Sequence, residues 1–175
     1  MCHGGPTGYT TSALNLKVQY WTSRGFGVVD VNYRGSTGFG KQYRQALNGV
    51  WGVADVLDLI AAAKYLVNNR EIDPKRVAIR GGSSGGLTTM LTLSQSDVFC
   101  CGVSLYGVSD MHTIASASHK FESGYLDTLI GPLPECRDSY DERSPIQFPE
   151  KITRPLLMIH AVSYTHLTLP TILRV

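Results

Sequence analysis

Residues 80–86 read Arg80-Gly81-Gly82-Ser83-Ser84-Gly85-Gly86, two adjacent hydroxyls set among four glycines directly after the apolar run Val77-Ala78-Ile79. A serine hydroxyl is a weak nucleophile. To attack a carbonyl it needs a base within hydrogen-bond reach, exposure to substrate, and donors for the oxyanion that forms. A strand that turns sharply into a helix meets two of these needs. The serine sits at the tip of the turn, and flanking glycines remove side chains that would clash there. The following helix then aims its first N–H groups and the positive end of its dipole at the same point. The pattern G-x-S-x-G fits this stretch twice, with Ser83 or with Ser84 at its centre. Ser83 is the better fit, because the turn then begins right after Arg80 and leaves two glycines for helix–strand packing. Ser84 would then supply one oxyanion-hole N–H. A phosphate-cradling loop of the G-x-x-x-x-G-K-[ST] kind would need a lysine that is absent here.

A second segment fits the same chemistry. His3-Gly4-Gly5-Pro6 precedes the first expected helix, where hydrolases of this kind place their second oxyanion donor. The backbone N–H of Gly4 or Gly5 would serve.

Strands alternating with helices must position these residues. A helix is expected from Thr11-Ser12 with Leu14, Val18 and Trp21 on one face, then a buried strand over 26–32 and a Gly-rich loop over 34–40. Gly52 to Asn68 reads as the clearest helix, with Val53, Val56, Leu57, Ile60, Lys64 and Val67 along one stripe. Further strands are expected over 76–80, 100–106 and 156–160, and a helix over 87–94. Residues 107–150 read as an excursion over the sheet edge rather than a core element. The alternation predicts an α/β fold with a mostly parallel sheet, helices on both faces, and ligands at the C-terminal ends of the strands.

The 175 residues suffice for one domain core, and a net charge of +2 gives no argument for nucleic acid or an anionic membrane. No apolar run approaches the roughly 20 residues of a membrane span, and the N-terminus lacks the pattern of a signal peptide. Cysteines stand at positions 2, 100, 101 and 136 without a Cys-x-x-Cys. They read as buried, reduced thiols of a cytoplasmic protein, with Cys100 and Cys101 on opposite faces of a strand and so unable to share a metal.

At this point the sequence resembles the catalytic domain of the prolyl oligopeptidase family of serine peptidases, in its acylaminoacyl-peptidase and dipeptidyl-peptidase-like branch. The resemblance rests on His3-Gly4-Gly5-Pro6, on Val31 to Gly40 (V-N-Y-R-G-S-T-G-F-G), and on Trp51-Gly52 with Asp55 and Asp58. It continues through Asp73-Pro74-Lys75-Arg76, Arg80 to Gly86, Tyr106 to Asp110, His119 to Ser123 and Arg143-Ser144-Pro145. It implies an α/β-hydrolase fold, Ser83 as the nucleophile, short peptides as substrates, and neither metal nor organic cofactor. It also implies a β-propeller ahead of this domain that selects substrates by size. The family's acid and histidine would follow the strand ending at His160.

Residues 161–175 contain no Asp, and Val162 to Thr171 reverse-translate to a transposon-end tag. Residues 1–160 therefore read as a partial catalytic domain and 161–175 as a foreign tail. The expectation is a chain that is inactive alone. A carboxylesterase of the same fold shares the Ser83 chemistry and is the first rival. A dinucleotide loop at Gly35, Gly38 and Gly40 lacks an acidic residue ending a following strand. A non-catalytic binding module is the remaining alternative.

Overall fold

A computed structural model describes residues 1–117 and 124–160. The expected features at His119 to Ser123 and throughout 161–175 lie outside the described residues. The helices are α1 (Leu16–Thr22), α2 (Lys41–Gln45), α3 (Ala54–Asn68), α4 (Ser84–Gln95), α5 (Met111–Ala117), α6 (Tyr125–Leu129) and α7 (Arg137–Glu142). The strands are β1 (Ala78–Gly82), β2 (Cys101–Leu105) and β3 (Leu156–Ile159). They form a parallel sheet in the order β1-β2-β3, with Ala78 opposite Cys101 and Gly102 opposite Leu156. Single parallel bridges extend the sheet on the β1 side, from Gly81 to Cys2 and from Cys2 to Val31. His3, Tyr33, Ser83, Tyr106 and His160 therefore all follow the same end of the sheet. This is the edge at which a parallel sheet presents its ligands. No described helix is long and apolar enough to cross a membrane.

Helix α4 is the hub. Every residue from Ser84 to Leu93 is buried, and the helix packs on β1, β2 and α3. Three threonines in its interior are tolerated because each hydroxyl has an acceptor: Thr89 donates to the Gly85 carbonyl at 2.8 Å, Thr92 to that of Thr88 at 2.6 Å, and Thr88 shares its proton between the Ser84 carbonyl at 3.1 Å and the Asp55 carboxylate. A buried helix must be apolar or self-satisfied on all sides.

Against α4 lies α3, whose buried side is Ala54, Asp55, Val56, Leu59 and Ala63, while Val53 and Leu57 are exposed. The buried stripe is thus rotated from the expected one. Asp55 is held inside by specific donors. Its carboxylate accepts the Gly52 N–H at 2.7 Å and the Thr88 hydroxyl at 2.5 Å.

Three further expectations are corrected. Residues 26–32 form no buried strand. Phe26 and Val29 are exposed, and the one parallel bridge within this stretch joins Val31 to Cys2. Helix α1 begins at Leu16, capped by the Asn15 side chain, and buries no residue, with Leu14 outside it and exposed.

Residues 107–150 are no mere excursion either. Met111, Leu126, Leu129, Ile130 and Tyr140 join Leu47, Trp51, Val56, Leu87 and Leu91 in the larger of the two core clusters. Each such apolar side chain, fully buried, contributes about 1.5–3 kcal/mol. Arg143 and Ser144 fasten this region. The Arg143 guanidinium donates to the carbonyls of Trp51 at 3.0 Å and Gly49 at 3.1 Å. The Ser144 hydroxyl accepts the Met111 N–H at 2.9 Å and donates to the Tyr140 carbonyl at 2.7 Å. Short polar runs hid this core from the sequence, because its apolar residues are scattered over several brief helices.

Candidate active site

Ser83 links β1 to α4 at φ 55° and ψ −123°. An L-residue at positive φ costs on the order of 1–3 kcal/mol and persists only where its surroundings enforce it. The enforcement is visible here. The Ser83 N–H donates to the Leu105 carbonyl at 2.9 Å, and the Ser83 carbonyl accepts from Gly86 at 2.9 Å and Leu87 at 3.2 Å. Of the two adjacent serines, Ser83 is exposed, whereas Ser84 opens α4 and is buried. The strand runs on to Gly82, two residues past Arg80, so the turn falls on Ser83 itself.

The glycines are required by crowding. A Cβ at Gly81 would lie 2.1 Å from the Gly85 carbonyl oxygen, and one at Gly85 would lie 2.4 Å from the Cys2 carbonyl oxygen and 2.8 Å from that of His3. The N-terminal segment therefore lies directly on the turn. Cys2 pairs beside Gly81, with its N–H on the Arg80 carbonyl at 2.9 Å. Gly4 follows, where a Cβ would stand 3.4 Å from Ser83 Cβ. Gly5 adopts φ +128°, and a Cβ on it would reach within 2.3 Å of the Gly8 nitrogen. The two sequence segments expected to share one site, 3–6 and 80–86, are thus brought together.

The His3–Pro6 segment is held from below by Tyr33. The Tyr33 ring is completely buried, and its hydroxyl lies 3.0 Å from the His3 carbonyl oxygen and 2.9 Å from that of Pro6. The His3 ring stacks on Tyr33 with centroids 4.3 Å apart. Its Nδ1 lies 2.9 Å from the Gly4 carbonyl oxygen and its Nε2 2.7 Å from Ser36 Oγ. Burial lowers the His3 pKa and favours the neutral ring, and burial raises that of Tyr33, keeping it a phenol.

The loop that carries Tyr33 and Ser36 is anchored in turn on α3. The Arg34 guanidinium and backbone N–H both reach the Asp58 carboxylate, at 2.8–3.0 Å. Thr7 closes the other side, its hydroxyl 2.8 Å from that of Tyr125 on α6. The only sequence signal for this frame was the run Asn32-Tyr33-Arg34-Gly35-Ser36, which shows neither its partners nor its depth.

The other histidines do not reach Ser83 in a hydrogen bond among the described residues. His112 Nε2 lies 2.7 Å from Asp141 Oδ1. Asp110 caps the start of α5, accepting the His112 N–H at 2.9 Å and the Thr113 hydroxyl at 2.6 Å. Cys2 is no rival nucleophile, since burial pushes its thiol up to about 12. Cys100 and Cys101 depart from expectation. Their sulfurs lie 3.9 Å apart rather than on opposite faces, and both residues are half-buried. Regular β2 begins only at Cys101, so strict alternation does not extend to Cys100.

The profile of the prolyl oligopeptidase family matches residues 12–169. The chain is 32% identical over 170 residues to dipeptidyl peptidase family member 6 of Caenorhabditis elegans, covering 93% of this chain and 23% of that protein. It is 34% identical over 164 residues to dipeptidyl aminopeptidase BIII of Pseudoxanthomonas mexicana, covering 90% and 24%. Among solved structures, a puromycin-hydrolyzing peptidase of Mycobacterium tuberculosis superposes with a TM-score of 0.87 at 52% identity, over 89% of this chain and 24% of that one. The Pyrococcus horikoshii acylaminoacyl peptidase gives 0.80 at 30% identity, over 90% and 26%. The chain spans about a quarter of the length of these relatives. With its parallel sheet, its strand–serine–helix turn and this match over most of its length, the chain belongs to the prolyl oligopeptidase family and carries part of an α/β-hydrolase domain.

Proposed function

We propose that this chain is the nucleophile-bearing part of a serine peptidase that cleaves short peptides through an acyl-enzyme on Ser83. The observation that carries the reading is the exposed Ser83 at φ 55°, between β1 and α4, with Gly4 packed beside it. In the forward step Ser83 Oγ bonds to the scissile carbonyl carbon and its proton passes to a base. The carbonyl oxygen, now negative, is held by the N–H of Ser84 at the start of α4 and by that of Gly4 or Gly5. Collapse expels the amine, which takes a proton, and water then releases the acid by the same route. Tyr33, His3 and Ser36 fix the path of residues 3–6 and so keep the second donor in place. The peptidases among the relatives support peptides as the substrate class, and the greater length of those relatives is consistent with a further, size-selecting domain.

The family resemblance puts the acid and the histidine after His160, where residues 161–175 contain no Asp, so the 175-residue chain alone is expected to react slowly. Loss of the base from such a triad costs orders of magnitude in rate. Two measurements test the reading. A fluorophosphonate probe should label this chain weakly and only at Ser83, with Ser83→Ala unlabelled. A version extended to the relatives' full length should hydrolyse an aminoacyl anilide faster than a simple ester, and Ser83→Ala should abolish this. Retention of hydrolysis in the extended Ser83→Ala variant would refute the assignment, and preference for the ester would favour the carboxylesterase.

A further inference from the structure

The sulfurs of Cys100 and Cys101 lie 3.9 Å apart at the start of β2, on residues that are both half-buried and that no part of the hydrolase site uses. Register places Cys101 beside Ala78 and Leu105 beside Gly82. The pair is thus separated from the Ser83 turn by about 13 Å of strand. Adjacent residues make a poor direct disulfide. Their Cα atoms are about 3.8 Å apart, against about 4.4–6.8 Å in unstrained bridges, and the sulfurs would have to close to about 2.05 Å. Inserting one soft atom between the sulfurs removes that demand, because each sulfur then bonds to the inserted atom and the two remain more than 3 Å apart. The inserted centre must be content with two protein sulfurs. Among the described residues no group of three His, Cys, Asp or Glu side chains is placed to hold a metal ion. A structural zinc, which takes four protein ligands, is therefore not matched. A trivalent organoarsenical needs two thiolates and brings its own carbon as third substituent.

We propose that Cys100 and Cys101 form a two-thiolate chelating site for trivalent, thiol-seeking arsenicals. With phenylarsine oxide as the ligand, the arsenic–oxygen bond breaks and two arsenic–sulfur bonds form. Both thiol protons leave with the oxygen as one water, and arsenic stays trivalent throughout. The other two cysteines serve as internal controls. The Cys2 thiol is buried and held protonated, and Cys136 stands apart at the start of α7.

The test uses the 175-residue chain, reduced and then treated with one equivalent of phenylarsine oxide, read by intact mass. The adduct is expected to survive millimolar glutathione and to be removed by a small dithiol. Two-point attachment should hold the arsenical about 10²- to 10⁴-fold more tightly than either thiol alone. Cys100→Ser and Cys101→Ser should each lose the adduct to glutathione, while the double variant Cys2→Ser/Cys136→Ser, which retains only the pair, should keep it. Circular dichroism establishes that each variant is folded, and the double variant alone suffices should a single one not fold. Loss of the adduct from the wild-type chain or the double variant in glutathione overturns the proposal, as does its retention in folded Cys100→Ser. Ser83→Ala should bind the arsenical unchanged, so this result stands or falls separately from the peptidase reading.

Discussion

At Ser83, backbone conformation and chemistry are in opposition. The turn that exposes the hydroxyl holds an L-residue at φ 55°, which glycine would adopt at lower cost. Ser83→Gly should therefore be more stable than Ser83→Ala by about 1 kcal/mol, read by thermal denaturation, although both lack the nucleophile. Equal stability would mean that the turn is not strained. Gly85 presents the opposite constraint. A methyl there would meet the Cys2 carbonyl oxygen at 2.4 Å, a backbone atom that cannot rotate away. Gly85→Ala is expected to cost about 1–3 kcal/mol and to slow fluorophosphonate labelling of Ser83 by pushing the Gly4 segment off the turn. Tyr33→Phe keeps the ring stacked under His3 but removes the one hydroxyl proton that the His3 and Pro6 carbonyls share. A loss of about 1–3 kcal/mol is expected, measurable by urea denaturation, with no change in the ultraviolet signature of overall helix content.

Between elements, the contact of α3 with α4 turns on one buried acid. Asp55 is completely buried, and desolvation raises its pKa despite the donors from Gly52 and Thr88. Between the ordinary carboxylate value of 3.8 and the raised one, the folded chain keeps a proton that the unfolded chain has released. The folded state then binds more protons, so stability falls as pH rises through that window. Asp55→Asn retains an acceptor for Gly52 and removes the charge. Its denaturation midpoint should be flatter with pH over the same range, and a slope equal to that of the wild type would show that Asp55 does not titrate there. The neighbouring Arg34–Asp58 pair has another role. It is partly exposed, so its value lies in fixing the loop that carries Tyr33 and Ser36 rather than in net stability.

Across the whole molecule, the sheet ends at β3 among the described residues, with Leu157 and Ile159 exposed at 57% and 49%. Large apolar side chains exposed together on one strand favour association. Leu157→Lys combined with Ile159→Lys should lower light scattering in concentrated solution while leaving the unfolding midpoint nearly unchanged; scattering unaffected by the change would place the sticky surface elsewhere. The strand, serine and helix at 76–95, the H-G-G segment, the parallel sheet and the family were all legible in the linear order of residues. They depend on local rules: apolar runs, glycine where crowding forbids a side chain, and a turn that must follow a strand. The placement of Gly4 against Ser83, the Tyr33 hydroxyl holding both ends of the His3–Pro6 segment, the true buried stripe of α3 and the meeting of two sulfurs at Cys100–Cys101 were decided only in three dimensions. Each depends on which surfaces face one another across tens of residues. Periodicity along one element can say that a face is buried, but packing against a partner selects the face and sets the distances on which the chemistry depends.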